Sequence, residues 1–232
     1  RQHLDPQRGL AGAAVKLKFR GIPKPMNHNI TTGKVMDTSR VIRDNVAKLI
    51  RNAAISRLEK TIDGAAVEVN ELEADFIPGR ILANHLAFIQ ISGEFVTVTF
   101  KCHFSIEAVK KIAAHKFDAD KKNMVSDREV FDFIKEYCNL VAGKVVALFF
   151  DCSIEMGIGL PLCTTGFYEV FSKYDEAELL PNMHYDFWRM QVNGSNMVCS
   201  SIFEVLNETR LTGLEGYEIA ADANTEGEIE FL

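Results

Sequence analysis

The stretch SDREVFDFIKEYCNLVAGKVVALFFDCSIEMGIGLP, residues 126–161, decides how this chain is read. Ser126 followed three residues later by Glu129 forms a capping box, in which each side chain satisfies a backbone donor that the first helical turn leaves open. Beyond it Val130, Ile134, Tyr137, Cys138, Val141, Val145 and Leu148 recur at helical intervals and gather on one side of the cylinder, the side a fold would bury. At roughly 100° per residue, Asp132, Glu136, Asn139 and Gly143 fall within about 60° of one another on the opposite side. They form a polar stripe turned toward solvent or a partner. Gly143 leaves the backbone bare on that stripe, at a cost of about 1 kcal/mol relative to alanine in a helix interior. On periodicity alone such a stripe is an ordinary solvated helix face.

Working outward, the hydrophobic period changes from helical to alternating. In FVTVTFKCHF, residues 95–104, Val96, Val98, Phe100, Cys102 and Phe104 alternate with Thr97, Thr99, Lys101 and His103, the pattern of a strand buried on one face. HLAFIQI, residues 85–91, precedes it across Ser92-Gly93, a turn signal of moderate strength. A helix is expected over 105–116, and a long amphipathic helix over 38–62 with Val41, Val46, Leu49, Ile50 and Ala53 on its apolar face. Short strands are expected at 66–69 and 75–77, the second stopped by Pro78. Late in the chain, YDFWRMQV and NMVCSSIFEVL flank Asn193-Gly194, the strongest short-range hairpin signal present. Trp188 and its aromatic neighbours sit at strand spacing and read as core or interface packing. Strand pairs separated by helices make an α+β chain, with helices on one face of a largely antiparallel sheet.

With 232 residues and 47% hydrophobic content, the chain can bury one substantial core but not two unrelated catalytic domains. No apolar run reaches the eighteen or so residues of a membrane span, and no signal peptide is recognised, so a cytoplasmic location is expected. Cysteines 102, 138, 152, 163 and 199 are odd in number and scattered, which suggests reduced thiols rather than a disulfide framework or zinc site. In a cytosolic chain the N-x-[ST] sequons at Asn29, Asn193 and Asn207 are coincidences. Residues 1–36 hold seven Lys or Arg against one Asp, and residues 207–232 hold seven acidic residues against one Arg. Both read as solvated end segments. The basic one lacks the interleaved aromatics and amphipathic period of a nucleic-acid or membrane binder. Because Arg1 is not a methionine and the first Met is Met26, part of that extension is expected to be non-native.

The positions Asp132, Glu136, Asn139 and Pro161 fit a spaced pattern: Asp or Ser, three residues, Glu, two residues, Asn, twenty-one residues, Pro. In it the chain resembles the CheC, CheX and FliY family of bacterial chemotaxis phosphatases, whose signature this is. NLVAGKV, residues 139–145, is similar to the continuation found in the CheX branch, although Val141 stands where the family often has threonine. The helix at 38–62 has no Glu three residues before an Asn, and a single motif copy favours CheX over CheC.

That resemblance, strongest in the middle of the span 37–211, implies a CheX-like two-layer α+β fold with the motif on a long surface helix. Residues 1–36 are then an N-terminal basic extension and residues 212–232 an acidic C-terminal tail. The implied activity is hydrolysis of the phospho-aspartate of a CheY-type receiver domain. Asn139 would hold the attacking water with an amide that both donates and accepts. Glu136 would pair with the receiver's lysine. Asp132, Gly143 and Pro161 are expected to serve partner binding, Asp132 at the rim and Pro161 by shaping the loop after the helix. No cofactor is expected in this chain, the Mg²⁺ being held by the receiver, and a homodimer is implied. The alternative is a non-catalytic docking or dimerisation module on the same scaffold.

Other sites weaken on inspection. DADKKNMVSDRE, residues 118–129, places Asp118, Asp120 and Glu129 at EF-hand positions, but Lys122 stands where a ligand oxygen is needed and Asn123 replaces the turn glycine. The histidines show no zinc-ligand spacing, and His103 points to the opposite face of its strand from Cys102. No phosphate-binding glycine loop or nucleophile-elbow pattern occurs.

Overall fold

The capping box forms as its residue types demand. In the computed structural model, the Ser126 hydroxyl accepts from the Glu129 amide at 3.3 Å, and the Glu129 carboxylate accepts from the Ser126 amide at 2.7 Å. From this cap runs helix α3, Asp127–Asp151, burying Val130, Ile134, Tyr137, Cys138, Val141, Val145 and Leu148 along the expected side, with Phe133, Ala142 and Phe149 beside them. Ser153, at a left-handed φ of 61°, turns the chain back after α3, and the Ile154 amide donates to the Phe149 carbonyl at 2.9 Å.

The structure describes residues 38–63, 65–72, 83–114, 125–165 and 182–214. Besides α3 these form α1 (Thr38–Thr61), α2 (Ile106–Ala113), and strands β1 (Glu68–Glu71), β2 (His85–Gly93), β3 (Val96–Phe104), β4 (Met156–Ile158), β5 (Leu162–Thr165), β6 (Met183–Val192) and β7 (Ser195–Val205). The strands make one antiparallel sheet in the order β1-β6-β7-β3-β2-β4, with β5 also on β2. Asn193 and Gly194 adopt φ values of 46° and 78°, the two positive angles that a tight two-residue hairpin turn between β6 and β7 requires.

One face of the sheet carries the core. Phe100 of β3 stacks on Trp188 of β6 with centroids 6.2 Å apart and meets the Tyr137 ring of α3 edge-on at 6.0 Å. The Tyr137 hydroxyl donates to the Ala54 carbonyl of α1 at 2.8 Å. Sheet, α3 and α1 are thereby joined around three aromatic rings, and Val109 and Ile112 of α2 enter the same apolar core. Arg51 of α1 is clamped by Asp186 of β6, at 3.1 and 2.5 Å, and also pairs with Glu71 of β1. The expected α+β arrangement, with helices over one side of an antiparallel sheet and the motif on a long surface helix, is the observed one.

Details differ from the sequence expectation for identifiable reasons. The β2–β3 turn falls at Glu94-Phe95 rather than Ser92-Gly93, because Gly93 stays in the ladder beside β4. A methyl group there would lie 2.7 Å from the Glu155 carbonyl oxygen, so the glycine serves a close strand approach and not the turn. Strand β1 lies two residues later than 66–69. On α1, Ile42 is buried where Val41 is only partly so. Strand β3 is not open on its second face throughout, since Lys101 and His103 are 1% and 7% exposed. Packing continues past residue 211: Leu211 and Leu214 are buried, and the Asn45 amide donates to the Leu214 carbonyl at 2.7 Å, so Thr212–Leu214 belongs to the folded region rather than the tail. The helix expected over 105–116 runs over Ile106–Ala113 with Ala114 as its cap, while residues 115–116, the strand expected at 75–77 and the EF-hand-like positions Asp118, Asp120, Lys122 and Asn123 lie outside the described residues.

Candidate functional site

Periodicity placed the polar stripe opposite the apolar face of α3, and the helix packing leaves it there. Asp132 and Glu136 are exposed, and Asn139 and Gly143 are partly so. Asp132 stands 3.8 Å from Arg128 one turn earlier, an exposed pair of little energetic weight. Among the described residues the Glu136 side chain makes no ion pair and the Asn139 side chain no hydrogen bond, so both remain open to a partner. Residues three apart on a helix hold their Cβ atoms about 5–6 Å from one another, so a single partner can meet both.

The two flanks of this ridge differ. Toward α1, Glu136 and Leu140 line a groove of about 300 Å³ together with Arg57, Lys60, Thr61 and Asp63. Lys144, on the same flank, has its ammonium pKa lowered, first by burial and then by the positive charges of Arg57 and Lys60, with Asp151 opposing. Toward the other flank lie β4 and β5. There Cys163 packs against the buried core, and burial pushes its thiol up to about 11, helped by Cys138 and opposed by Lys135.

Pro161 lies on this second flank, in a kink of the edge strand and not on the ridge. Ile158 pairs with Ile91 and Leu162 with Phe88, so three residues, Gly159 to Pro161, span a stretch where β2 has only Ile89 and Gln90. The Gly159 amide donates to the Gln90 carbonyl at 2.8 Å. Proline, which lacks a donor, suits the unpaired position that such a bulge creates. Gly143 meets nothing: a methyl there would find no atom outside the neighbouring helix backbone within 4 Å.

The structure therefore brings Asp132, Glu136, Asn139 and Gly143 together on one ridge, with Pro161 shaping the strand edge beside it. Sequence reasoning missed the groove on the α1 side. Arg57, Lys60 and Thr61 share one face of α1 by their spacing, but their meeting with Glu136 depends on how α1 and α3 pack. Among the described residues no group of three or more His, Cys, Asp or Glu could hold a metal ion, and no helix is long and apolar enough to cross a membrane. The five cysteines are free thiols, with Cys102, Cys138 and Cys199 buried.

No protein-family model matches the chain. No curated protein sequence matches it either. Solved structures do. A CheC-like superfamily protein from Shewanella sp. PV-4 superposes with a TM-score of 0.52 at 14% identity, covering 69% of this chain and 97% of that one. The chemotaxis protein CheX from Vibrio vulnificus superposes with a TM-score of 0.51 at 14% identity, covering 67% of this chain and 99% of that one. The chain thus has the fold of these CheC-like and CheX structures, with additional residues beyond the shared module.

Proposed function

We propose that this chain is a phosphatase of the CheC, CheX and FliY type, which hydrolyses the phospho-aspartate of a CheY-like receiver domain in a chemotaxis-type signalling pathway. The observation that carries the reading is the pair Glu136 and Asn139, unengaged by any described residue and set on the solvent-facing ridge of α3 in a chain with a CheX-like fold.

In such a reaction water attacks phosphorus, the bond from phosphorus to the aspartyl oxygen breaks, and carboxylate and inorganic phosphate leave. A receiver that holds its own Mg²⁺ and lysine would supply the charge neutralisation, so the partner has only to position water and hold the docked geometry. Asn139 does the first: its amide accepts from the water through Oδ1 or donates to it through Nδ2, and it keeps that capacity at every physiological pH. Glu136 does the second, its carboxylate meeting the receiver lysine in a charge-assisted hydrogen bond. Asp132, at the start of the ridge, contributes at the rim of the contact. A homodimer is proposed on the resemblance alone and is checked by solution mass.

The test is loss of phosphate from a phosphorylated receiver with and without the purified protein. Asn139→Ala should lower kcat at least about 100-fold, as expected when a nucleophile loses its positioning group. Glu136→Lys should abolish turnover by repelling the receiver lysine. No acceleration by the parent protein, or an Asn139→Ala variant as active as the parent, overturns the reading. Binding without turnover would make the chain a docking module instead.

A further inference from the structure

Beside the catalytic ridge, the groove between the last turns of α1 and the middle of α3 has an uneven charge. Its α1 wall presents Arg57 and Lys60, and its α3 wall presents Glu136. Arg57 Nε is buried and has no hydrogen-bond partner among the described residues, although the carboxylates of Glu136 and Asp63 line the same groove. Lys60 is exposed and likewise makes no ion pair among the described residues. The shielded Nε is out of reach of an incoming group, so a partner would meet the remaining N–H groups of the half-buried Arg57, and a planar fork of N–H groups is suited to carboxylates. Burial and then Arg57 and Lys60 also work against the charge on Lys144 of the facing helix, with Asp151 opposing, so positive charge from both helices meets along this flank. Within the groove Arg57 and Lys60 of α1 thus face Glu136 of α3, with Asp63 just past the end of α1 and Lys144 two turns along α3 from Glu136.

We propose that this groove is a second recognition contact for the receiver, in which Arg57 and Lys60 donate to carboxylates where a receiver presents them beside the lysine that meets Glu136. The inference rests on the proposed function, since Glu136 sits at once on the catalytic ridge and on the groove wall. It adds a selection rule that the motif lacks. A receiver presenting a lysine flanked by carboxylates matches the minus and plus pattern of Glu136, Arg57 and Lys60, whereas one presenting further lysines there is repelled by α1. Charges at the rim of an interface act mainly on encounter and partner choice, so the contact should govern KM rather than kcat.

The experiment compares the parent, Lys60→Glu, the double variant Arg57→Glu with Lys60→Glu, and the control Arg40→Glu, whose exposed charge lies near the opposite end of α1. Turnover of the phosphorylated receiver and binding of its beryllofluoride-loaded form are both measured at low and high salt. Lys60→Glu should raise KM several-fold and the double variant about tenfold or more, with kcat within twofold of the parent and a weaker dependence on salt. Arg40→Glu should leave KM unchanged. Because Lys60 is exposed, its variant reads the contact even if Arg57→Glu perturbs folding. If the parent hydrolyses phosphate, Asn139→Ala does not, and Lys60→Glu leaves KM and receiver binding at parent values, this inference is overturned and the function stands. If the parent binds the loaded receiver without hydrolysis and the α1 variants weaken that binding, the phosphatase reading falls and the groove contact stands. A KM change of equal size in Arg40→Glu shows only general charge steering and also overturns the inference.

Discussion

Replacing Gly143 by alanine separates its effect on helix stability from the docking role proposed for it. Gly143 lies within the 25-residue helix α3, eight residues before its end, and no positive φ is required of it. An added methyl would meet no atom outside its own helix within 4 Å, so no steric cost offsets the gain in helix propensity. That gain is about 1 kcal/mol, part of it from a less free unfolded chain. For a folded unit of this size it raises Tm by about 2–4 °C. In urea the midpoint should rise with an unchanged slope, because the surface exposed on unfolding barely alters.

Function should move the other way. Gly143 is two turns beyond Glu136, about 10 Å along the helix and some 20° round it, so it lies on the same ridge. A receiver seated over Glu136 and Asn139 would press against the bare backbone there, and Gly143→Ala should raise KM for the phosphorylated receiver several-fold while kcat holds. An unchanged or lowered Tm would refute the account of α3 as a regular helix with free space over Gly143. A raised Tm with unaltered KM would leave the helix as described and show that the docked partner does not reach this turn.

Two further outcomes follow from the packing. Asp186→Asn removes the charge that holds Arg51 at 3.1 and 2.5 Å, and since the two side chains are only 16% and 12% exposed, with Glu71 left as a solvent-facing partner, stability should fall by about 2–3 kcal/mol in denaturant titrations. A loss below about 0.5 kcal/mol would show the clamp to be incidental. The His184 imidazole has its pKa lowered from 6.5, first by burial and then by Arg43, with Glu208 opposing, so protons prefer the unfolded chain. Its contribution to stability is therefore full above pH about 6.5 and declines as pH falls through the lowered folded-state value. His184→Gln should lose less stability than the parent between pH 7 and pH 5 in urea midpoints, and parallel profiles would refute the assignment.

What could be read from the sequence was local. The α3 start followed from Ser126 and Glu129, three residues apart, the buried face of α3 from a repeat within one helix, and the β6–β7 turn from the adjacent pair Asn193-Gly194. Each needs only neighbours in sequence to form. What escaped reading depends on residues far apart. Gly93 looked like a turn residue because its true reason, the Glu155 carbonyl across the β2–β4 contact, is 62 residues away. Strands β4 and β5 are three and four residues long with little alternation, and they exist as strands only because β2 offers them a ladder. The burial of Lys101 and His103 likewise has no trace in a pattern that alternates cleanly along β3. The same division runs through the functional site. Glu136 and Asn139 come from one helix at fixed spacing, so their pairing is visible without a fold. The wall that faces Glu136 is supplied by α1, nearly eighty residues earlier, and appears only when Tyr137 docks on the Ala54 carbonyl and draws the two helices together. The spacing of Asp132, Glu136, Asn139 and Pro161 is therefore legible in the chain itself. The groove wall proposed to choose among partners is built by tertiary packing, from α1 residues that lie outside that spacing.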